Sequence, residues 1–233
     1  MRRIESGTVD RVVKPMFNAR QRTLDHYVIK IELLEVPHRV FRVLSVPSDI
    51  YLNYLEELIV LAMGWSGYHL SQIEAGDLIY CAREDLELNR GGQLFARMRD
   101  HSLFTLRDVM KKKDDSFTLV YDFGDDWKHQ VTLIEKDKYP EGYEDDAWVE
   151  VVGGEGCCPP DDCGGSSGYV EMLNALRLGS DEEREEMENW LSIWGIKDYD
   201  VREFNLRETK CRVADYQRTL ESVRRGMYRE GEW

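Results

Sequence analysis

The chain has no long apolar run. The longest uninterrupted one, Leu58 to Met63, spans six residues, whereas a membrane-spanning helix needs roughly 20. The first ten residues, MRRIESGTVD, lack the apolar core of a signal peptide. Cysteine is scarce and odd in number, five among 233 residues; this excludes a disulfide scaffold and predicts reduced thiols in a cytoplasmic protein. Positive charge is also in short supply. With 31 Lys and Arg against 45 Asp and Glu the net charge is −14, which argues against a broad nucleic-acid surface, because phosphate backbones are bound through basic footprints. The sequence shows no internal repeat. Its one basic stretch, residues 1–22, holds six Arg or Lys against two acids, while Glu135 to Asp162 holds ten acids against two Lys. The expectation is a mobile, solvated basic arm over residues 1–23, the only place where nucleic-acid contact is expected.

What is present is the makeup of a folded globule: 42% hydrophobic and 11% aromatic residues. Two stretches hold most of the unusual residues. In the first, Phe117 to Leu133, the apolar residues Phe117, Leu119, Tyr121 and Phe123 alternate, as do Trp127, His129, Val131 and Leu133. That is the period of half-buried strands. Parity then constrains the turn: only an odd loop, or an equivalent bulge, keeps both apolar sets on one face. A three-residue loop, Gly124-Asp125-Asp126, pairs Phe123 with Trp127 and Tyr121 with His129, and gathers Asp122, Asp125 and Asp126 near the tip. The second stretch, Gly153 to Tyr169, reads as a stiff loop that opens a helix, with Pro159-Pro160 unable to donate backbone hydrogen bonds and Gly164-Gly165 free to approach other backbone closely.

The remaining elements follow in chain order. Tyr27–Val36 and Arg39–Val46 read as strands joined at Pro37-His38. Pro47-Ser48 is read as the cap of a helix from Asp49 to Met63, with Gly64 as its left-handed terminator and Trp65 packing back on the last turn. Strands are expected at Tyr68–Ile73 and Asp77–Cys81, a loop with a short helix over residues 83–101, and a helix at Leu103–Met110. An acidic loop, Lys138–Ala147, leads to a short strand at Trp148–Val152. Ser166 or Ser167 caps the next helix, and a capping box at Ser180–Glu183 starts another that buries Met187, Trp190, Leu191 and Trp194. Val213, Tyr216, Leu220, Val223 and Met227 form a helical seam for the body or for self-association. Strands followed by terminal helices, without βαβ alternation, predict an α+β fold: a mostly antiparallel sheet packed by an early helix and C-terminal helices. The expected division is the arm, a domain over 24–206, and a helical extension over 207–233.

Three motifs in order, GWSGYHL, YDFGDDWKH and CPPDDCGG followed by Gly-Tyr, resemble the plasmid pRiA4b ORF-3-like family, also described as an insertion-element passenger domain. The resemblance runs from about Tyr27 to Phe204–Leu206. It implies no established activity, and nothing of a recombinase is carried over with it. This chain departs from the family at His69-Leu70-Ser71, where a His-Leu-His is usual.

Two function classes are compatible with these residues. The first is a non-catalytic module that binds a protein or small ligand in a groove between the hairpin and the Pro-Pro-Asp-Asp loop. Its candidate lining is Tyr68, His69, Tyr121, Asp122, Asp125, Trp127, His129, Pro159, Pro160, Asp161, Asp162, Gly164 and Gly165. No full set of nucleophile, base and orienting residue can be named, so this class leads and no cofactor is expected. The second is a metal-dependent hydrolase or nuclease-like enzyme using His69, His129 and Asp125, with zinc drawn to His69, His129, Cys158 and Cys163, since Cys158 to Cys163 is a C-x4-C spacing. Against that, an imidazole on an apolar face is more often a hydrogen-bonded core histidine.

Overall fold

Alternation of inward and outward side chains builds the sheet. The computed structural model describes residues 25–138 and 149–224. In β1 (Asp25–Leu33), Tyr27, Ile29, Ile31 and Leu33 are buried and the intervening residues are not. The chain continues through β2 (Phe41–Pro47), α1 (Leu52–Met63), β3 (Ser71–Ala75), β4 (Leu78–Cys81), α2 (Arg83–Leu88), β5 (Met98–Asp100) and α3 (Leu106–Val109). It then forms β6 (Ser116–Tyr121), β7 (Trp127–Lys138), β8 (Glu150–Glu155), α4 (Gly165–Leu178), α5 (Asp181–Ile193) and α6 (Leu206–Arg224). The eight strands make one sheet, ordered β5-β4-β3-β6-β7-β1-β2-β8. All neighbours are antiparallel except β4 and β5. The fold is α+β, as the sequence predicts. Among the described residues no helix is long and apolar enough to cross a membrane.

One continuous core joins the inward face of the sheet to α1, α4 and α6. Leu52, Leu55, Leu58, Ile59 and Ala62 of α1 are all buried in it. The helix starts three residues later than its sequence implies, at Leu52 rather than Asp49. Residues 48–52 are claimed by Phe104 and the first residues of α3: Leu52 N–H donates to Phe104 O, Leu106 N–H to Ile50 O, and Arg107 N–H to Ser48 O. A tertiary backbone network therefore overrides the cap read at Ser48. Gly64 ends α1 in the left-handed region at φ 118°.

A buried arginine on β2 ties α1 to the end of β8. Arg42 Nε donates to Ala62 O at 3.0 Å and Nη2 to Met63 O at 3.5 Å, covering the last carbonyls of α1. Nη1 donates to Phe41 O and Glu155 O; Nη2 also reaches Gly156 O and Cys158 Sγ. The guanidinium lies over the Phe204 ring, 4.4 Å from its centroid.

Two further expectations shift, and one of two alternatives for the last helix is met. Residues 83–101 contain, besides α2, the edge strand β5, which lies parallel to β4. In α5 the capping box of Ser180 and Glu183 forms, but only Leu191 is buried and Trp194 is exposed, because α5 packs on α4 and leaves its outer side to solvent. The α6 seam meets the body: Val213 is buried, Arg212 Nη1 donates to Leu61 O, and Lys210 pairs with Glu150. The Gln217 side-chain amide donates to Val149 O and accepts from Val149 N–H. The basic arm, Trp148, most of the acidic loop and Met227 lie outside the described residues.

Candidate functional site at the hairpin tip

The β6–β7 hairpin has the odd parity its alternation demands, at a different length. Tyr121 faces Trp127, Leu119 faces His129 and Phe117 faces Val131. The loop is therefore the five residues Asp122–Asp126, not three. The cause is local aspartate chemistry. Asp122 and Asp126 both adopt left-handed backbone, φ 58° and 57°, which short polar side chains tolerate. Asp126 N–H donates to Asp122 O at 2.6 Å, while Asp122 Oδ1 accepts from Gly124 N–H at 2.8 Å and Asp125 N–H at 3.3 Å. Phe123, expected opposite Trp127, leaves the sheet and is 48% exposed.

The two unusual stretches meet at this tip, with Trp65 as the joint. Its indole stacks on Tyr121 and Trp127 at centroid distances of 5.2 and 5.8 Å and meets the His129 ring edge-on at 5.2 Å. Its Nε1–H donates to Pro159 O at 2.8 Å. Pro159 and Pro160 are buried. Next to them, Asp161 Oδ2 accepts from Ser66 N–H at 3.1 Å and Ser66 Oγ–H at 2.8 Å. Gly164 N–H donates to Asp125 Oδ2 at 3.2 Å, so the carboxylate at the start of α4 comes from the hairpin. Gly164, not Ser166 or Ser167, is the N-cap, and Gly165 sits so close that an added Cβ would lie 2.6 Å from Asp125 O.

His129 is inside. It is fully buried, and since Leu119 O can only accept, the 3.2 Å contact places the proton on Nδ1. Burial pulls its pKa down to about 4, so the ring is neutral. It does not join His69 and Asp125 at the surface. The thiols do not converge with His69 either. Cys158 is buried beside Arg42 and Cys163 is half-buried near Asp125; burial pushes both up to about 12, which keeps them protonated. The four-residue set His69, His129, Cys158 and Cys163 is not assembled. Burial and the nearby Asp161 carboxylate also raise the Tyr121 phenol to about 12.

A different trio comes together. His69 Nδ1 is 3.5 Å from Asp122 Oδ2, and His69 Nε2 is 3.5 Å from Asp162 Oδ1. Among the described residues this is the one group of three or more imidazole, thiolate or carboxylate side chains whose ligand atoms lie within 4.8 Å of one another. Asp122 is 8% exposed, Asp162 is exposed, and the rim is apolar: Tyr68 at 91%, Leu70 and Phe123. Trp65 and Ser66, which position the Pro-Pro-Asp-Asp loop, are absent from the expected lining. The GWSGYHL motif contains both, but their partners lie more than 90 residues away.

These features define an α+β sheet protein with a cluster of carboxylates around His69 at a hairpin tip. The chain belongs to the plasmid pRiA4b ORF-3-like family, whose profile, described as "Plasmid pRiA4b ORF-3-like protein", matches residues 25–208. The protein y4hQ of Sinorhizobium fredii, described as uncharacterized, is 34% identical over 187 residues, covering 80% of this chain and 90% of y4hQ. The fold is similar to that of the crystal structure of a protein of unknown function, MM3350 from Methanosarcina mazei Go1. The TM-score is 0.66 at 24% identity, with 80% of this chain and 98% of that one covered.

Proposed function

We propose that this protein is a non-catalytic binding module whose cleft, between the hairpin tip, Ser66–Leu70 and Asp161–Gly165, receives a positively charged group of a small ligand or protein segment. The observation that carries this reading is the meeting of Asp122, Asp125, Asp161 and Asp162 at one mouth. Among the described residues, no Lys or Arg side chain lies within ion-pair reach of these four; the one nitrogen base there is His69. Tyr68, Leu70 and Phe123 supply apolar contact around that charge. The cleft hydroxyl, Ser66 Oγ, donates to a carboxylate rather than to an imidazole, and the thiols are protonated, so no activated nucleophile supports an enzymatic reading. Nucleic acid is a poor fit to carboxylates. Free thiols at all five cysteines support a reducing compartment, the cytoplasm.

The test is a screen of small amines and basic peptides by amide chemical-shift mapping on the metal-free full chain. Perturbations should cluster at Ser66–Leu70, Asp122–Asp126 and Asp161–Gly165, and Phe123→Ser should weaken them. Binders confined to the cleft of about 660 Å³ between α4 and α5, lined by Leu173, Arg177, Glu188 and Tyr199, would overturn the reading.

A further inference from the structure

We infer that His69, Asp122 and Asp162 hold a divalent transition-metal ion at the mouth of this cleft. The inference names the cation for the site proposed above and relies on that reading only for its location. It replaces the histidine–thiolate set expected from spacing with a histidine and two carboxylates.

Three observations converge on it. The first is the donor set: one imidazole nitrogen and two carboxylate oxygens within 4.8 Å of one another. That mixture suits zinc and its first-row neighbours, and three protein ligands leave a coordination position open to water or ligand. The second is spacing. Each His69 nitrogen stands 3.5 Å from a carboxylate oxygen, beyond a charge-assisted hydrogen bond and close to the roughly 3.4 Å that separates two ligands of one tetrahedral zinc ion. The third is Asp122 itself, only 8% exposed. Its Oδ1 accepts from two backbone N–H groups, while Oδ2 makes no hydrogen bond to a described residue and lies 3.5 Å from His69. A carboxylate fixed through one oxygen holds the other in place to ligate an ion.

The third donor comes from a separate segment: Asp162 reaches the ring from the Pro-Pro-Asp-Asp loop.

The experiment is calorimetric titration of untagged, chelator-treated full-length protein with zinc and with manganese chloride, alongside thermal unfolding. One ion should bind per chain and raise the unfolding midpoint in a concentration-dependent way, as for any ligand selective for the native state. His69→Ala and Asp162→Asn, both at partly exposed positions, should each weaken binding by about tenfold or more. Cys163→Ser should leave it unchanged. The inference is overturned by absence of saturable binding up to about 1 mM, by binding that both H69A and D162N retain, or by loss of binding in C163S, which would identify a thiolate site. Fragments that still map to the cleft when metal does not bind would sink the ion alone; metal binding without such fragments would sink the organic ligand alone.

Discussion

Arg42 and His69 are both nitrogen bases set among oxygen acceptors, and they are treated in opposite ways. Around Arg42 the guanidinium donors meet five carbonyls and a sulfur in the interior. Around His69 two nitrogens face two carboxylates at distances too long for strong hydrogen bonds, beside solvent. Satisfied polarity at Arg42 joins α1, β2 and the end of β8 into one unit. The widely spaced nitrogens and carboxylates at His69 leave room that a ligand would complete. The contrast separates residues that hold the fold from residues that are available for function.

The largest expected effect tests the first half. Arg42→Ala should lower stability by about 3–5 kcal/mol in urea unfolding, since it strands buried carbonyls, and Arg42→Lys should recover less than half of that loss. A mild effect would mean that water replaces the guanidinium. Next comes His129. Burial keeps it neutral in the folded chain, with a pKa of about 4 against an ordinary 6.5, so the unfolded chain takes up its proton first. Stability from this group is intact above pH 6.5, falls as pH drops toward 4 and levels off below, by roughly 3 kcal/mol in total. The difference between wild type and His129→Leu across that window isolates the effect; parallel pH profiles would show the ring to be solvated. Gly165→Ala combines φ 66° with an added Cβ 2.6 Å from Asp125 O and should cost about 1–3 kcal/mol. Its amide shifts should move at Asp122–Asp126. The smallest effect belongs to the mouth: Asp162→Asn should change stability by no more than about 0.5 kcal/mol. A larger loss would make Asp162 part of the framework and erase the contrast.

Much of this architecture was legible in the residues, for reasons that can be stated. Alternation in β6 and β7 placed His129 on the inner face, and parity required an odd loop. The register shifted by two because Asp122 and Asp126 take left-handed backbone, stabilised by a carboxylate bonding to its own loop. Sequence reads such local chemistry as a preference for turns, not as a particular length. The sequence implies too early a start for α1 because Ser48 and Ile50 bond to Arg107 and Leu106, a long-range event without a local signal. His69, Asp122 and Asp162 all belong to the groove lining expected from the sequence, but their convergence as a trio has no local signal, because they lie in three separate segments. Cysteine spacing drew attention to thiols that the fold buries instead.

At Gln217 a side chain stands in for a strand. Its carboxamide occupies both the donor and the acceptor of Val149, the residue that leads into the outermost strand of the sheet. A chain arriving to extend the sheet past the start of that strand finds this one rung already taken by a side chain.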